Sequence, residues 1–210
     1  MSSTNISAST PTDTAAPRVV HPVWVRLLHW INAAAMVMMI MSGWQIYNAS
    51  PLFNFVFPPE ITLGGWLGGA LQWHFAAMWL LVINGVIYVA LGLLTGRFRR
   101  KLLPLSAAGV VRDTGAALTG RLSHADLTRY NQVQKALYAG VLIVGVFVVL
   151  SGLSIWKPVQ FQYLTALFGG YEVARYVHFV MMALIVAFTV VHVILAVLVP
   201  KSLRAMIIGR

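Results

Sequence analysis

The chain has 210 residues, 59% of them hydrophobic, and a mean hydropathy of +0.79. These values exceed those of soluble domains and predict an integral membrane protein. The sequence contains no cysteine, which excludes disulfides, thiolate metal sites, iron–sulfur clusters and covalent c-type haem attachment. The net charge of +10 comes from basic residues grouped between apolar segments, so nucleic acid is not an expected partner.

Four apolar segments follow a polar tail. Residues 1–19 are rich in Ser, Thr, Ala and Pro and lack the apolar core of a signal peptide, so we predict a disordered cytoplasmic tail. The four segments have the length of bilayer-crossing helices and cover residues 24–47, 71–94, 133–156 and 173–199. Because lipid supplies no hydrogen-bond partners for the backbone, the sequence predicts an all-α membrane protein, a four-helix transmembrane bundle over residues 20–210.

Basic residues predict the orientation. All but two of the 15 Lys and Arg residues lie in the tail or at the start of the first segment, in or next to the connection between the second and third segments, or near the C-terminus. The exceptions, Lys157 and Arg175, lie on the opposite side. By the positive-inside rule both termini are cytoplasmic. An aromatic belt marks the outer edge and contains Trp44, Tyr47, Trp66, Trp73, Trp156 and Tyr163.

The connections differ in character. The two outer ones are rich in Pro, Gly and aromatic residues, and Pro58-Pro59-Glu60 with Gly64-Gly65 indicates turns rather than a fifth span. The long inner connection is expected to form one or two short surface helices. Ser123 and Asp126 resemble a capping box that leads into the third span.

Four histidines lie inside the predicted spans, where an ionisable side chain is costly and indicates function. His178 and His192 are fourteen residues apart on the last span. On a helix this spacing leaves them within roughly 40° of one face and about 21 Å apart along the axis. His29 lies near the inner end of the first span, and His74 lies near the outer end of the second.

Matching the histidines by depth pairs His29 with His192 at the inner side and His74 with His178 at the outer side. A neutral imidazole is a good iron ligand, and bundle cores accommodate such cofactors. We therefore predict two b-type haems, each with its iron between two imidazoles. The third span contains no histidine and is expected to be a supporting wall.

Two arginines precede predicted ligands by three residues. Arg26 and Arg175 would lie on the ligand face, one turn nearer the water, where a guanidinium can bind a haem propionate. The alternative is that both extend to lipid headgroups. The remaining histidines, His21 and His124, lie outside the spans and are expected to be solvated.

Two glycines follow predicted ligands at helical spacing. Gly43 lies fourteen residues after His29, and Gly85 lies eleven after His74. Each would present a small residue to the other haem, so that the flat ring could approach the backbone. The alternative is ordinary packing of small residues between helices.

Three segments carry a family resemblance: RLLHWINAAAMVMMIMSGWQIY, QWHFAAMWLLVINGVIYVALGL and ARYVHFVMMALIVAFTVVHVILA. They resemble the bacterial cytochrome b561 and nickel–iron hydrogenase cytochrome b superfamily, above all its thiosulfate-reductase-like cytochrome b subunits. The resemblance covers nearly the whole chain after the tail. It implies a di-haem subunit of the bacterial inner membrane that moves electrons between the quinone pool and a periplasmic redox partner, often a molybdopterin oxidoreductase.

Two imidazoles on each iron leave no position for a substrate, so electron transfer is expected rather than catalysis. The candidate quinone contacts are four polar residues near the inner edge, namely Asn32, Asn131, Gln134 and Lys135. One alternative is a stand-alone quinone-linked oxidoreductase that acts on superoxide or another small outer substrate. A transporter with histidine relays is disfavoured because all five acidic residues lie outside the span cores.

Overall fold

Within residues 20–119 and 130–209, which the computed structural model describes, the protein forms eight α-helices and no β-strand. They are α1 (Val23–Ala49), α2 (Leu67–Leu94), α3 (Arg97–Leu102), α4 (Ala107–Leu118), α5 (Gln132–Trp156), α6 (Gln162–Leu167), α7 (Tyr171–Leu198) and α8 (Pro200–Ile208). Helices α1, α2, α5 and α7 are long and apolar enough to cross a membrane. The predicted all-helical membrane protein with four spans is therefore confirmed. The tail expected at 1–19 lies outside the described residues.

The connections contain more structure than the sequence indicated. A 3-10 turn at Pro59–Ile61 lies between α1 and α2, consistent with turns rather than a fifth span. The short helices α3, α6 and α8 were not predicted individually. Helix α7 ends at Leu198, and Pro200 then begins α8, because proline fits the first turn of a helix but not its interior.

Helix α5 begins with a capping box different from the one expected. Asn131 Oδ1 accepts a hydrogen bond from Gln134 N at 2.8 Å, and Gln134 Oε1 accepts one from Asn131 N at 3.1 Å. Asp113 Oδ2 of α4 accepts from Gln132 N at 2.9 Å. These bonds satisfy amide donors that a helix start leaves open. The capping box expected at Ser123 and Asp126 lies outside the described residues.

The four long helices form two hairpins. Helix α1 packs along α2, and α5 packs along α7, whereas the backbones of the two hairpins approach each other at few points. Small side chains allow the close contacts, since Ala35, Ala70 and Ala174 are fully buried and Ala77 is 2% exposed. Space for larger groups therefore lies between the hairpins rather than within them.

Asn84 links the helices of the first hairpin. Its side chain on α2 is 5% exposed, and Nδ2 donates to the carbonyl oxygen of Leu28 on α1 at 2.9 Å. Since Leu28 precedes His29, this bond fixes α1 at the level of a predicted ligand. A buried amide in the membrane needs such a partner.

Replacing Asn84 with Ala should lower the stability of the detergent-solubilised protein by about 1 kcal/mol, the scale of hydrogen bonds between membrane helices. The measurement is the thermal midpoint followed by circular dichroism. Asn54→Ala, in an exposed loop, is the control and should leave the midpoint unchanged. Equal midpoints for the Asn84 variant and the wild type would contradict the proposed link.

Candidate functional site

Two pairs of imidazole rings bridge the hairpins. His29 of α1 faces His192 of α7 with ring centres 6.0 Å apart and an interplanar angle of 59°. His74 of α2 faces His178 of α7 with ring centres 6.5 Å apart and an angle of 66°. All four side chains are only partly covered by protein atoms. The structure thus brings together the same pairs that matching by depth selected.

These separations suit one metal ion between two imidazoles. Metal–imidazole nitrogen bonds are about 2 Å long, and each ring centre lies about 1.1 Å behind its nitrogen, so ring centres should be roughly 6 Å apart. Across the described ranges, no cluster of three or more His, Cys, Asp or Glu side chains could hold a metal. An ion between two imidazoles therefore needs its other ligands from a macrocycle such as a porphyrin.

Hydrogen bonds fix the tautomer of His74. Its Nδ1 lies 3.0 Å from Ser42 Oγ, and the Ser42 hydroxyl donates its own hydrogen to the Met38 carbonyl at 2.6 Å. Ser42 Oγ therefore accepts the Nδ1–H of His74. The lone pair of Nε2 is left free for a metal.

His178 has the same arrangement on the other hairpin. Its Nδ1 lies 3.2 Å from Ser151 Oγ and 3.0 Å from the Val148 carbonyl oxygen, and Ser151 Oγ donates to the Phe147 carbonyl at 2.7 Å. A carbonyl can only accept, so Nδ1 of His178 carries the hydrogen and Nε2 is free. Metal-binding histidines commonly donate their second N–H in this way.

The same arrangement of serine, glycine and histidine occurs in both hairpins, although no sequence repeat was recognised. Ser42-Gly43 on α1 contacts His74 on α2, and Ser151-Gly152 on α5 contacts His178 on α7. Each of these histidines is followed by a phenylalanine, Phe75 or Phe179. The phenylalanines then cross between the hairpins. Phe75 contacts Trp156 with ring centres 5.1 Å apart, and Phe179 contacts Tyr47 at 5.2 Å. The serines and the Ser151-Gly152 pair were not identified as site residues from the sequence, because their contacts with the histidines are made between helices.

The inner pair is held differently. The ring of His192 stacks on Phe188 with centres 5.6 Å apart and a 15° angle, and His29 meets Trp30 edge to face at 5.4 Å. Neither inner imidazole forms a side-chain hydrogen bond anywhere in residues 20–119 or 130–209. Packing alone therefore orients these two rings.

The predicted arginines lie at opposite ends of the bundle. Arg26 Nη1 donates to the Ile207 carbonyl at 2.6 Å, while its Nε is buried without a partner and could bind an anionic group such as a propionate. Arg175 is more fully engaged. It binds Glu172 Oε2 at 3.1 Å, the Ser50 carbonyl at 2.6 Å and Ser50 Oγ at 3.0 Å.

The predicted glycines have different surroundings. A Cβ at Gly43 would lie 3.5 Å from His74 Cε1, so this glycine contacts an imidazole directly. A Cβ at Gly85 would meet no atom within 4 Å, so that face of α2 is open. Gly152, which was not predicted, is the closest of the three, since its Cβ would lie 3.2 Å from His178 Cε1.

The expectation that His21 is solvated was wrong. His21 is 8% exposed, and Arg97 Nη2 donates to its Nδ1 at 3.1 Å. Burial and the charge of Arg97 lower the pKa of His21 to about 4, so the ring is neutral at pH 7. The cation arrives from α3, which the local sequence around His21 does not reveal. His124 lies outside the described residues.

A membrane-helix bundle with paired imidazoles suited to iron defines a membrane cytochrome b. The chain belongs to the prokaryotic cytochrome b561 family, whose model matches residues 20–209 and whose members bind b-type haem. It is also similar to a protein of Azospira oryzae named "Putative protein-methionine-sulfoxide reductase subunit YedZ1". The two are 55% identical over 190 residues, which make up 90% of this chain and 96% of that protein. The predicted family and electron-transfer class are thereby confirmed.

Gly152→Ala should disturb the site more than Gly43→Ala. Both changes add one methyl group to a helix, so their effects on helix propensity are matched. The methyl group at 152 would press on His178 Cε1 at 3.2 Å, whereas that at 43 would make ordinary contact with His74 at 3.5 Å. We expect a lower haem-to-protein absorbance ratio for Gly152→Ala and a ratio near wild type for Gly43→Ala. The opposite order would show that these glycines do not set the imidazole positions.

Proposed function

We propose that this chain binds two b-type haems and carries electrons across the bacterial inner membrane. His29 and His192 would hold the inner haem, and His74 and His178 the outer one. Each bound haem would supply reversible one-electron iron chemistry with no open coordination position. The observation that carries this proposal is the presence of two imidazole pairs, each at iron-binding separation, about 21 Å apart along α7.

Removing one ligand at a time tests the number of haems. His178→Ala should lose the outer haem and keep the inner one, because the ligand pairs share no residue. His192→Ala should do the reverse. Pyridine haemochrome quantitation against protein should fall from about two haems per chain to about one. Retention of both haems in His178→Ala would refute the pairing, and one haem in the wild type would refute the di-haem proposal.

The proposed orientation places both termini in the cytoplasm. One end of the bundle gathers Arg26, Arg97 and Lys101 around His21, and their charges all act on that ring. The opposite end is rich in aromatic residues. The ring of Phe179 contacts those of Tyr47 and Phe53, and Tyr47 Oη donates to the Phe53 carbonyl at 3.4 Å. Such asymmetry supports a cytoplasmic location for the cationic end.

The absence of cysteine makes this orientation testable by labelling. Tyr163 on α6 is 85% exposed and lies in the proposed outer connection, and Lys201 on α8 is exposed near the proposed inner end. In intact cells a membrane-impermeant maleimide should label Tyr163→Cys but not Lys201→Cys until the membrane is permeabilised. The reverse pattern would invert the topology.

We propose a periplasmic redox subunit as the outer partner. The similar Azospira oryzae protein is named as a putative subunit of a protein-methionine-sulfoxide reductase. A molybdopterin oxidoreductase is our preferred class for the partner, as the resemblance in the sequence suggested. The outer connections would provide the docking surface, since Phe53, Phe55, Trp66 and Tyr163 are 44%, 47%, 69% and 85% exposed.

The loop that carries Phe53 and Phe55 is held in place for such a role. Asn48 Nδ2 donates to the Phe57 carbonyl at 2.8 Å, and Phe57 N donates to Asn48 Oδ1 at 2.8 Å. Phe53 and Phe55 both contact Phe179, the residue after His178, with ring centres 5.3 and 6.3 Å apart. This aromatic cluster extends from the outer site to the protein surface. It would let a docked partner come close to the outer haem.

We propose that a quinone exchanges electrons at the inner end. Asn131 and Gln134 already cap α5, and Lys135 Nζ donates to the Leu103 and Pro104 carbonyls at 3.4 and 3.1 Å, so three of the four original candidates have structural roles. Asn32 is the fourth, on the same helix as His29 and one turn further along it.

A second group of polar residues offers a better quinone contact. His21 and Arg97 are hydrogen-bonded to each other, and the charges of the His21 and His29 imidazoles are close enough to interact. The charge of Arg97 also acts on Tyr130, and burial raises the pKa of that tyrosine. A neutral imidazole, a guanidinium and a protonated phenol could together bind the carbonyl oxygens of a quinone and exchange protons with the cytoplasm.

A further inference from the structure

The two imidazole pairs differ in their second ring nitrogen. Both outer ligands donate Nδ1–H to acceptors on the neighbouring helix of their own hairpin, namely Ser42 Oγ for His74 and Ser151 Oγ for His178. The Val148 carbonyl oxygen also accepts from the His178 ring. The inner ligands have only ring contacts in the described part of the chain.

A hydrogen-bond acceptor for Nδ1–H changes how much electron density the imidazole donates to a metal. As the N–H bond is polarised, Nε2 becomes more basic and donates more electron density. Greater donation stabilises ferric iron over ferrous iron and lowers the reduction potential. This consequence applies to the outer pair only, so the two sites should differ in potential even though each has two histidine ligands.

Each serine hydroxyl can only accept a hydrogen bond from its imidazole. Ser42 and Ser151 are fully buried, and each uses its only hydrogen in a bond to the carbonyl four residues earlier in its helix, at 2.6 and 2.7 Å. Neither hydroxyl can therefore turn to donate to the imidazole. Each of the two serine–histidine bonds lies within its own hairpin. Neither bond therefore depends on how the two hairpins approach each other.

We propose that Ser42 and Ser151 are positioning residues that hold the potential of the outer haem below that of the inner haem through Nδ1 of His74 and His178. This inference rests on the proposed di-haem function. It adds that the outer site favours the oxidised state because of two hydroxyl acceptors absent from the inner site.

The test is a redox titration of the full-length haem-loaded protein in detergent, followed at the haem α-band. The wild type should show two one-electron steps. His178→Ala, which keeps the inner haem, identifies the higher step as the inner one. Ser151→Ala and Ser42→Ala should each raise the lower midpoint and leave the higher midpoint unchanged, and the double variant should raise the lower midpoint further.

Ser154→Ala is a matched control. Ser154 lies three residues after Ser151 on the same helix, is equally buried, and donates to the Leu150 carbonyl four residues earlier at 3.1 Å, but does not contact an imidazole. It should leave both midpoints unchanged. Ser42→Thr and Ser151→Thr retain a hydroxyl and should return the lower midpoint toward the wild-type value.

A spectroscopic measurement separates tuning from loosened packing. The near-infrared magnetic circular dichroism band of the ferric protein responds to the basicity of the axial imidazoles. We expect one of its two components to shift in Ser42→Ala and in Ser151→Ala, and neither to shift in Ser154→Ala. Because the serines act on different ligands, loss of haem in one variant leaves the other as a complete test.

The proposal is overturned if the lower midpoint stays at its wild-type value in both alanine variants and the double variant while two haems remain bound. It is also overturned if the higher midpoint moves instead, or if Ser154→Ala moves the lower midpoint equally. A wild-type preparation with one haem or none would contradict the di-haem function itself. The two failures are distinguished by haem quantitation on the same samples.

Discussion

An imidazole inside a membrane has two ring nitrogens, and each needs a bonding partner. The contacts in the outer half of this protein follow from that requirement. Nδ1 of each outer histidine finds an acceptor inside its own hairpin, and Nε2 is directed to the gap between hairpins. An unsatisfied polar group in hydrocarbon costs several kcal/mol, so both nitrogens need partners. Hairpin pairing provides for one nitrogen, and in the proposed function a haem iron between the rings would provide for the other.

The outer ligands occupy corresponding positions in the two hairpins, whereas the inner ligands do not. Tyr138 on α5 lies as many residues before Ser151 as His29 on α1 lies before Ser42. Tyr88 on α2 lies as many residues after His74 as His192 on α7 lies after His178. The tyrosines pack among aromatic rings, Tyr138 against Tyr130 at 5.0 Å and Tyr88 against Phe98 at 5.6 Å. The correspondence between the hairpins therefore does not extend to the inner histidines, and in the proposed di-haem state the two haems would have different surroundings.

Much of this arrangement could be predicted because it depends on local periodicity. The length of the apolar segments predicted the four membrane helices. Helical spacing and depth in the membrane predicted the pairs His29 with His192 and His74 with His178. The roles of Ser42 and Ser151 could not be predicted in the same way. A serine bonded to its own helix is common in membrane segments, and its second role arises only when a histidine from another helix lies against it. His21 was misjudged for the same reason, since its partner Arg97 is distant in sequence.

The contacts within each hairpin also explain how such a site can be assembled. Small residues and the Asn84 bond join α1 to α2, and the Ser151 contact with His178 joins α5 to α7, without any group between the hairpins. Membrane helices form individually stable spans before they associate, so each hairpin can orient its own ligand first. A group that binds only the associated state stabilises that state by its binding free energy. The hairpin backbones meet at few points, so in the proposed di-haem state the bound haems would add to the contacts that hold the two halves together.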